Sequence, residues 1–145
     1  MTLGALVSIP YLAKEIELYD SRLHSLDAEK KKAVEMGYSC PEYEAGLKEY
    51  RQALTDNRDL RKQELSELMT FIESISDPFM RAVFTARCLE SKSWWDVAFG
   101  LEEFGTYNAT SVRQAFYRYL RKRGIDTSSA DGNTGAAAVA ATHAD

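Results

Sequence analysis

Arg113, Gln114, Tyr117, Arg118, Arg121 and Lys122 follow one another at helical spacing, with Ser111 just ahead of them. A guanidinium can fork onto guanine O6 and N7, and a glutamine carboxamide can pair in the same bidentate way with adenine N6 and N7. Arg118, Arg121, Lys122 and Arg123, further along the same helix, are placed to meet backbone phosphates, which position a protein on a duplex without reading it. No acid interrupts the stretch from 104 to 124. Basic residues in a last helical turn can merely complement the helix dipole, which would account for Arg121, Lys122 and Arg123. It does not account for Arg113 near the helix start, where positive charge is unfavourable. The pattern therefore selects Ser111, Arg113, Gln114, Tyr117, Arg118, Arg121 and Lys122 as candidate contacts to double-stranded DNA.

Those residues need a scaffold, and the apolar periodicity supplies one. Val112, Ala115, Phe116, Tyr119 and Leu120 form a core stripe behind them, with Asn108 or Thr110 as the N-cap and Gly124 as the stop. Ahead of this helix, Ser93-x-x-Asp96 resembles a capping box and opens a short helix from Trp94 to Leu101. One tryptophan of the pair is expected in the core, the other outside. Glu102 to Asn108 is the turn between the two. Lys92 and Ser93, at the start of the short helix, offer a further place for a phosphate. Asp77 and Pro78 mark a helix start, and the segment Phe79 to Glu90 is apolar on more than one side, as a central core helix would be.

The N-terminal half has a different rhythm. After a leader expected to be loose (1–7), Leu12, Ile16, Tyr19, Leu23 and Leu26 recur at alternating spacings of four and three. Tyr43, Leu47, Tyr50 and Leu54 do the same beyond the turn Gly37–Pro41. This is a heptad seam, which strands cannot produce. The rhythm breaks at Asn57, Arg58 and Arg61 and resumes one residue out of step at Leu65, Leu68, Ile72 and Ile75. Asn57, Arg58 and Arg61 are expected to be a plain exposed stretch rather than a register device. Two long helices and a short turn predict an antiparallel hairpin, closed within one chain or between chains.

Charge follows the same division. The net charge of −4 separates into −4 over 1–76, +3 over 77–124 and −3 over 125–145. The expected organisation is all-α: a coiled-coil-like helical hairpin (1–76), a three-helix helix-turn-helix domain (77–124) and a disordered, Ala- and Gly-rich tail (125–145). Catalysis is not expected. Glycines are scattered rather than gathered into a phosphate loop, and His24 and His143 accompany no nucleophile or ligand set. No cofactor or metal is expected. Cys40 and Cys88 are read as reduced thiols. No apolar run approaches the ~20 residues of a membrane span, and no signal peptide is read, so the expected location is the cytoplasm.

The pattern Trp94/Trp95, Val97, Ala98, Leu101, then Ser111, Val112, Arg113, Gln114, Arg118, Leu120 and Arg121 resembles the helix-turn-helix of region 4 in sigma-70-type factors. With a helical arm ahead of it, the chain is similar to small phage transcriptional activators of the RinA and ArpU kind. The resemblance implies a DNA-binding regulator of phage or prophage late genes, with Arg113 and Gln114 on the promoter-reading face. Ala109 and Thr110 stand where Arg and Glu are typical, which implies a phage-specific site. The implied partners are double-stranded DNA, host RNA polymerase as a contact of the hairpin, and a second copy of the chain in a homo-oligomer, by preference a dimer. Two other classes share the layout: a small terminase subunit, and a coiled-coil adaptor that binds no DNA.

Overall fold

The computed structural model describes residues 1–128, and all of its regular elements are helical. The helices are α1 (Leu3–Val7), α2 (Ile9–Glu35), α3 (Pro41–Glu73), α4 (Pro78–Phe84), α5 (Trp94–Phe99) and α6 (Ala109–Lys122), with a π-helical turn at Thr85–Leu89 and a 3₁₀ turn at Glu102–Phe104. Among the described residues there is no strand, only a single parallel bridge between Thr2 and Asp126. No helix among them is long and apolar enough to cross a membrane. The fold is all-α. Of the tail expected at 125–145, residues 129–145 lie outside the described residues.

The chain groups into two compact units. One is Tyr11–Ser66, the other Met1–Pro10 together with the chain from Glu67 onward. Helix ends fall close to where local signals put them. α2 stops at Gly37, whose φ of +75° suits a residue without Cβ. Tyr38 N–H reaches back to Ala33 O at 2.9 Å and Gly37 N–H to Val34 O at 3.2 Å, which satisfies carbonyls the last turn would leave open. Asp77 caps α4 by accepting from Phe79 N–H at 3.1 Å, with Pro78 at the first helical position.

In the first unit, three ion pairs give α2 and α3 their antiparallel register. Arg61 meets Glu15 at 3.3 Å, Arg58 meets Asp20 at 3.1 Å, and Arg51 forks onto Asp27 at 2.8 and 3.1 Å. The Arg51 guanidinium holds the Asp27 carboxyl below its usual range. Leu12, Ile16, Leu23 and Leu54 are buried along the seam. Arg58 and Arg61 are half-buried and lie where the heptad rhythm breaks, so they are not the plain exposed stretch expected from sequence. Two guanidiniums replace seam leucines there, and each finds a carboxylate on the other helix. A charge at a seam position costs stability but fixes which turn faces which.

In the second unit, Leu68 and Ile72 of α3 and Ile75 just beyond it are buried with Met80, Val83 and Phe84 of α4. Phe84 is the hub: its ring lies 6.0 Å from Phe71, 4.7 Å from Phe116 and 5.5 Å from Tyr119. Residues 1–7 are not a loose leader. They form α1, capped by the Thr2 hydroxyl accepting from Ala5 N–H at 3.1 Å, and Leu3 and Leu6 are buried. The segment from 125 is likewise placed: Ile125 is buried, and Leu3 N–H donates to Asp126 O at 2.9 Å. The helix expected through Glu90 widens after Phe84 into the π-helical turn, where Glu90 N–H bonds Thr85 O, five residues back, at 3.1 Å. It ends at Ser91, a non-glycine residue with φ of +54°.

Candidate nucleic-acid interface

α6 is built on a simple division of faces. Val112, Phe116 and Leu120, spaced by four, are all about 1% exposed or less. Phe116 sits with its ring 4.9 Å from Trp94 and 4.7 Å from Phe84, so α6 is packed on α5 and α4 through one aromatic side chain. Its N-terminus is fixed by Asn108, whose Oδ1 accepts from Ser111 N–H at 2.8 Å. Of the two caps the sequence allowed, the structure uses Asn108. The Ser111 hydroxyl in turn donates to Asn108 O at 3.0 Å. Ser111 is therefore exposed but engaged in the cap.

The opposite face carries an open groove lined by Thr110, Arg113, Gln114, Tyr117, Arg118 and Arg121. Five of the seven residues selected from sequence are brought together here. Ser111 and Lys122 are exposed beside it and do not line it. Thr110 joins the lining; its spacing of four from Gln114, and of eight from Arg118, is the signal that would have placed it there. Arg113 is half-buried, its guanidinium 5.7 Å from the Tyr117 ring centroid. Tyr117 in turn meets Phe116 edge-on at 5.6 Å. Among the described residues, Arg113, Arg118, Arg121 and Lys122 form no ion pair with an acid. These cations lie on a helix that contains no carboxylate, so their field is directed outward.

Arg123 differs from its neighbours. It donates to the Tyr119 hydroxyl at 2.8 Å and lies 5.2 Å over the Phe71 ring, so it ties the end of α6 to the end of α3 rather than joining the groove. The phosphate position considered at Lys92 and Ser93 is also committed elsewhere. Lys92 Nζ lies 3.2 Å from Glu90, and the Ser93 hydroxyl accepts from Asp96 N–H at 3.2 Å to cap α5.

The tryptophan pair divides cleanly. Trp94 is buried, with the Arg87 guanidinium 4.6 Å over its ring. Trp95 is 68% exposed, and Phe99, one turn later on α5, is 70% exposed. Between α5 and α6 the chain folds over Phe79, which meets Phe104 at 5.7 Å and Tyr107 at 4.8 Å. Gly105, at φ of +132°, makes that turn possible. No group of three or more His, Cys, Asp or Glu is placed to hold a metal among the described residues. The chain matches no family model, no curated protein and no solved structure.

Proposed function

We propose that the protein is a sequence-specific DNA-binding regulator and that α6 is its reading helix. One observation carries this reading: an acid-free helix presents Arg113, Gln114, Arg118 and Arg121 along one open groove, with no carboxylate of its own to neutralise them. The base-reading types, Arg113 and Gln114, lie in the N-terminal half of the helix, the part that enters deepest into a major groove in helix-turn-helix docking. The purely cationic residues follow toward the C-terminus, where a helix leaving the groove crosses phosphates. α5, packed against α6 through Trp94 and Phe116, would serve as the bracing helix. The likeness to sigma region 4 and to phage activators of the RinA and ArpU kind extends the proposal to control of phage or prophage late genes. Host RNA polymerase is then a second partner.

The test is selection of binding duplexes from a random-sequence pool, followed by titration of the recovered site against Arg113→Ala/Gln114→Ala. Enrichment of a defined site, with about 1–3 kcal/mol of discrimination lost at each base pair those side chains read, supports the proposal. Recovery of no preferred sequence, or a site bound equally well by the double variant, would remove α6 from the reading role. A recovered site bound by a ring-sized particle would point instead to a packaging subunit.

A further inference from the structure

The two base-reading side chains of α6 are not held alike. Arg113 and Tyr117 stand one turn apart and are both half-buried, and the Arg113 guanidinium lies 5.7 Å over the Tyr117 ring centroid, within cation–π range. Side chains on a helix lean toward its N-terminus, so the Tyr117 ring lies over the turn from which Arg113 leaves. The ring is itself fixed. It meets Phe116 edge-on at 5.6 Å, and Phe116 is about 1% exposed, set 4.9 Å from Trp94 and 4.7 Å from Phe84. Arg113 is thus tied to the core through one ring. Gln114, its neighbour, is exposed, and its carboxamide bonds nothing among the described residues.

We infer that Tyr117 is a positioning residue for Arg113, and that the DNA site is dominated by one G·C pair, with the A·T pair of Gln114 subordinate; this rests on α6 being the reading helix. A guanidinium held against a ring face keeps its in-plane N–H donors, and the fork that matches guanine O6 and N7 is among them. No carboxylate on α6 competes for those donors. A long side chain ordered before binding loses less rotamer freedom when it meets the base, so more of the bond energy appears as affinity. The wrong base is penalised for the same reason. Arg113 cannot turn back to water without leaving the ring, so its donors stay unmet in the groove. Gln114 has no such tether and can swing out to solvent. The ring of Tyr117 is what this needs; its hydroxyl is not.

The test uses the full chain and the duplex recovered by random-sequence selection, with each base pair of that duplex exchanged in turn and binding read by fluorescence anisotropy. Arg113→Ala identifies the pair that Arg113 reads, as the one whose exchange no longer matters. That pair is expected to be G·C and to be the costliest to exchange among those α6 reads. Tyr117→Leu is expected to cut discrimination at that pair about threefold or more, and Tyr117→Phe to preserve it. In the Arg113→Ala background, Tyr117→Leu should change discrimination no further. Tyr117→Met, flexible and without a ring, covers the case in which Leu disturbs the packing on Phe116. A merely structural Tyr117 would lower thermal stability and weaken all duplexes alike, and a hydroxyl contact to phosphate would be lost equally in Tyr117→Phe; either result overturns the inference. So does full discrimination at that pair in both ring-free variants while Arg113→Ala abolishes it, an outcome that leaves the reading helix standing. If Arg113→Ala alters preference at no base pair, the reading helix falls and Tyr117 loses its role with it.

Discussion

Arg118→Ala/Arg121→Ala gives the sharpest test of the electrostatics of α6. Both side chains are exposed, line the groove and take no part in an ion pair among the described residues, so the fold should lose no more than a few tenths of a kcal/mol. If each guanidinium neutralises one phosphate, two fewer counterions are released on binding, and the slope of log K against log salt becomes shallower by about 1.8 per bound helix. Raising salt fourfold, from about 50 to about 200 mM, should then cost the wild type about 12-fold more affinity than the variant. Fluorescence anisotropy of a labelled duplex at four or five salt concentrations measures both lines. Arg123→Ala is the matched control. Its guanidinium bonds the Tyr119 hydroxyl and covers Phe71, so it should lower thermal stability and leave the slope alone. Parallel lines for Arg118→Ala/Arg121→Ala and wild type, displaced only in affinity, would refute the assignment of these two residues to phosphates.

Other perturbations probe the scaffold. Burial pushes the Cys88 thiol up from 9.0 to about 12. The unfolded chain ionises near the ordinary value while the folded one stays protonated, so the thiol's contribution is intact below pH 9 and is lost as pH rises toward 12, at about 1.4 kcal/mol per pH unit. Urea unfolding of wild type against Cys88→Ala should show their stability difference shifting by about 2 kcal/mol between pH 9 and 11; a difference constant over that range would contradict the burial. Ser91→Gly relieves a left-handed φ of +54° and should add up to about 1 kcal/mol by the same measurement, whereas a loss would mean the backbone is not strained there. Leu6→Ala, at a fully buried position, should cost about 2–5 kcal/mol, an effect that a loose N-terminal leader could not produce.

What the sequence disclosed was whatever repeats locally. The seam of α2, the caps at Asp77 and Gly37 and the two faces of α6 each rest on spacings of three and four or on a residue's own backbone preference. What it concealed depends on distant partners. Leu3 and Leu6 make one short turn, too brief for a period to show, and only their burial against residues far along the chain gives them weight. Arg58 and Arg61 look like a polar interruption until Asp20 and Glu15 are seen on the facing helix. Adjacent tryptophans carry no mark of which turns inward; Phe116 decides it by occupying the space beside Trp94. At the candidate interface, Arg113, Gln114, Tyr117, Arg118 and Arg121 were visible from their phase relative to the core stripe. Arg123 was misleading because its charge suggested the groove while two aromatic rings draw it aside.

The bridge between Thr2 and Asp126 joins nearly the two ends of the described chain. The core that supports α6 therefore draws residues from both ends of the described chain. During translation, α1 must wait with Leu3 and Leu6 uncovered until α6 and Ile125 have left the ribosome, although α2 and α3 can already pair by local zippering. Closing so long a loop costs entropy before any contact rewards it, which makes completion of the second unit the slow step of folding. A chain cut short before Ile125 would display a formed helical pair and an unanchored start, a species open to capture by proteases. The ability to present α6 would thus appear only in chains translated past that residue.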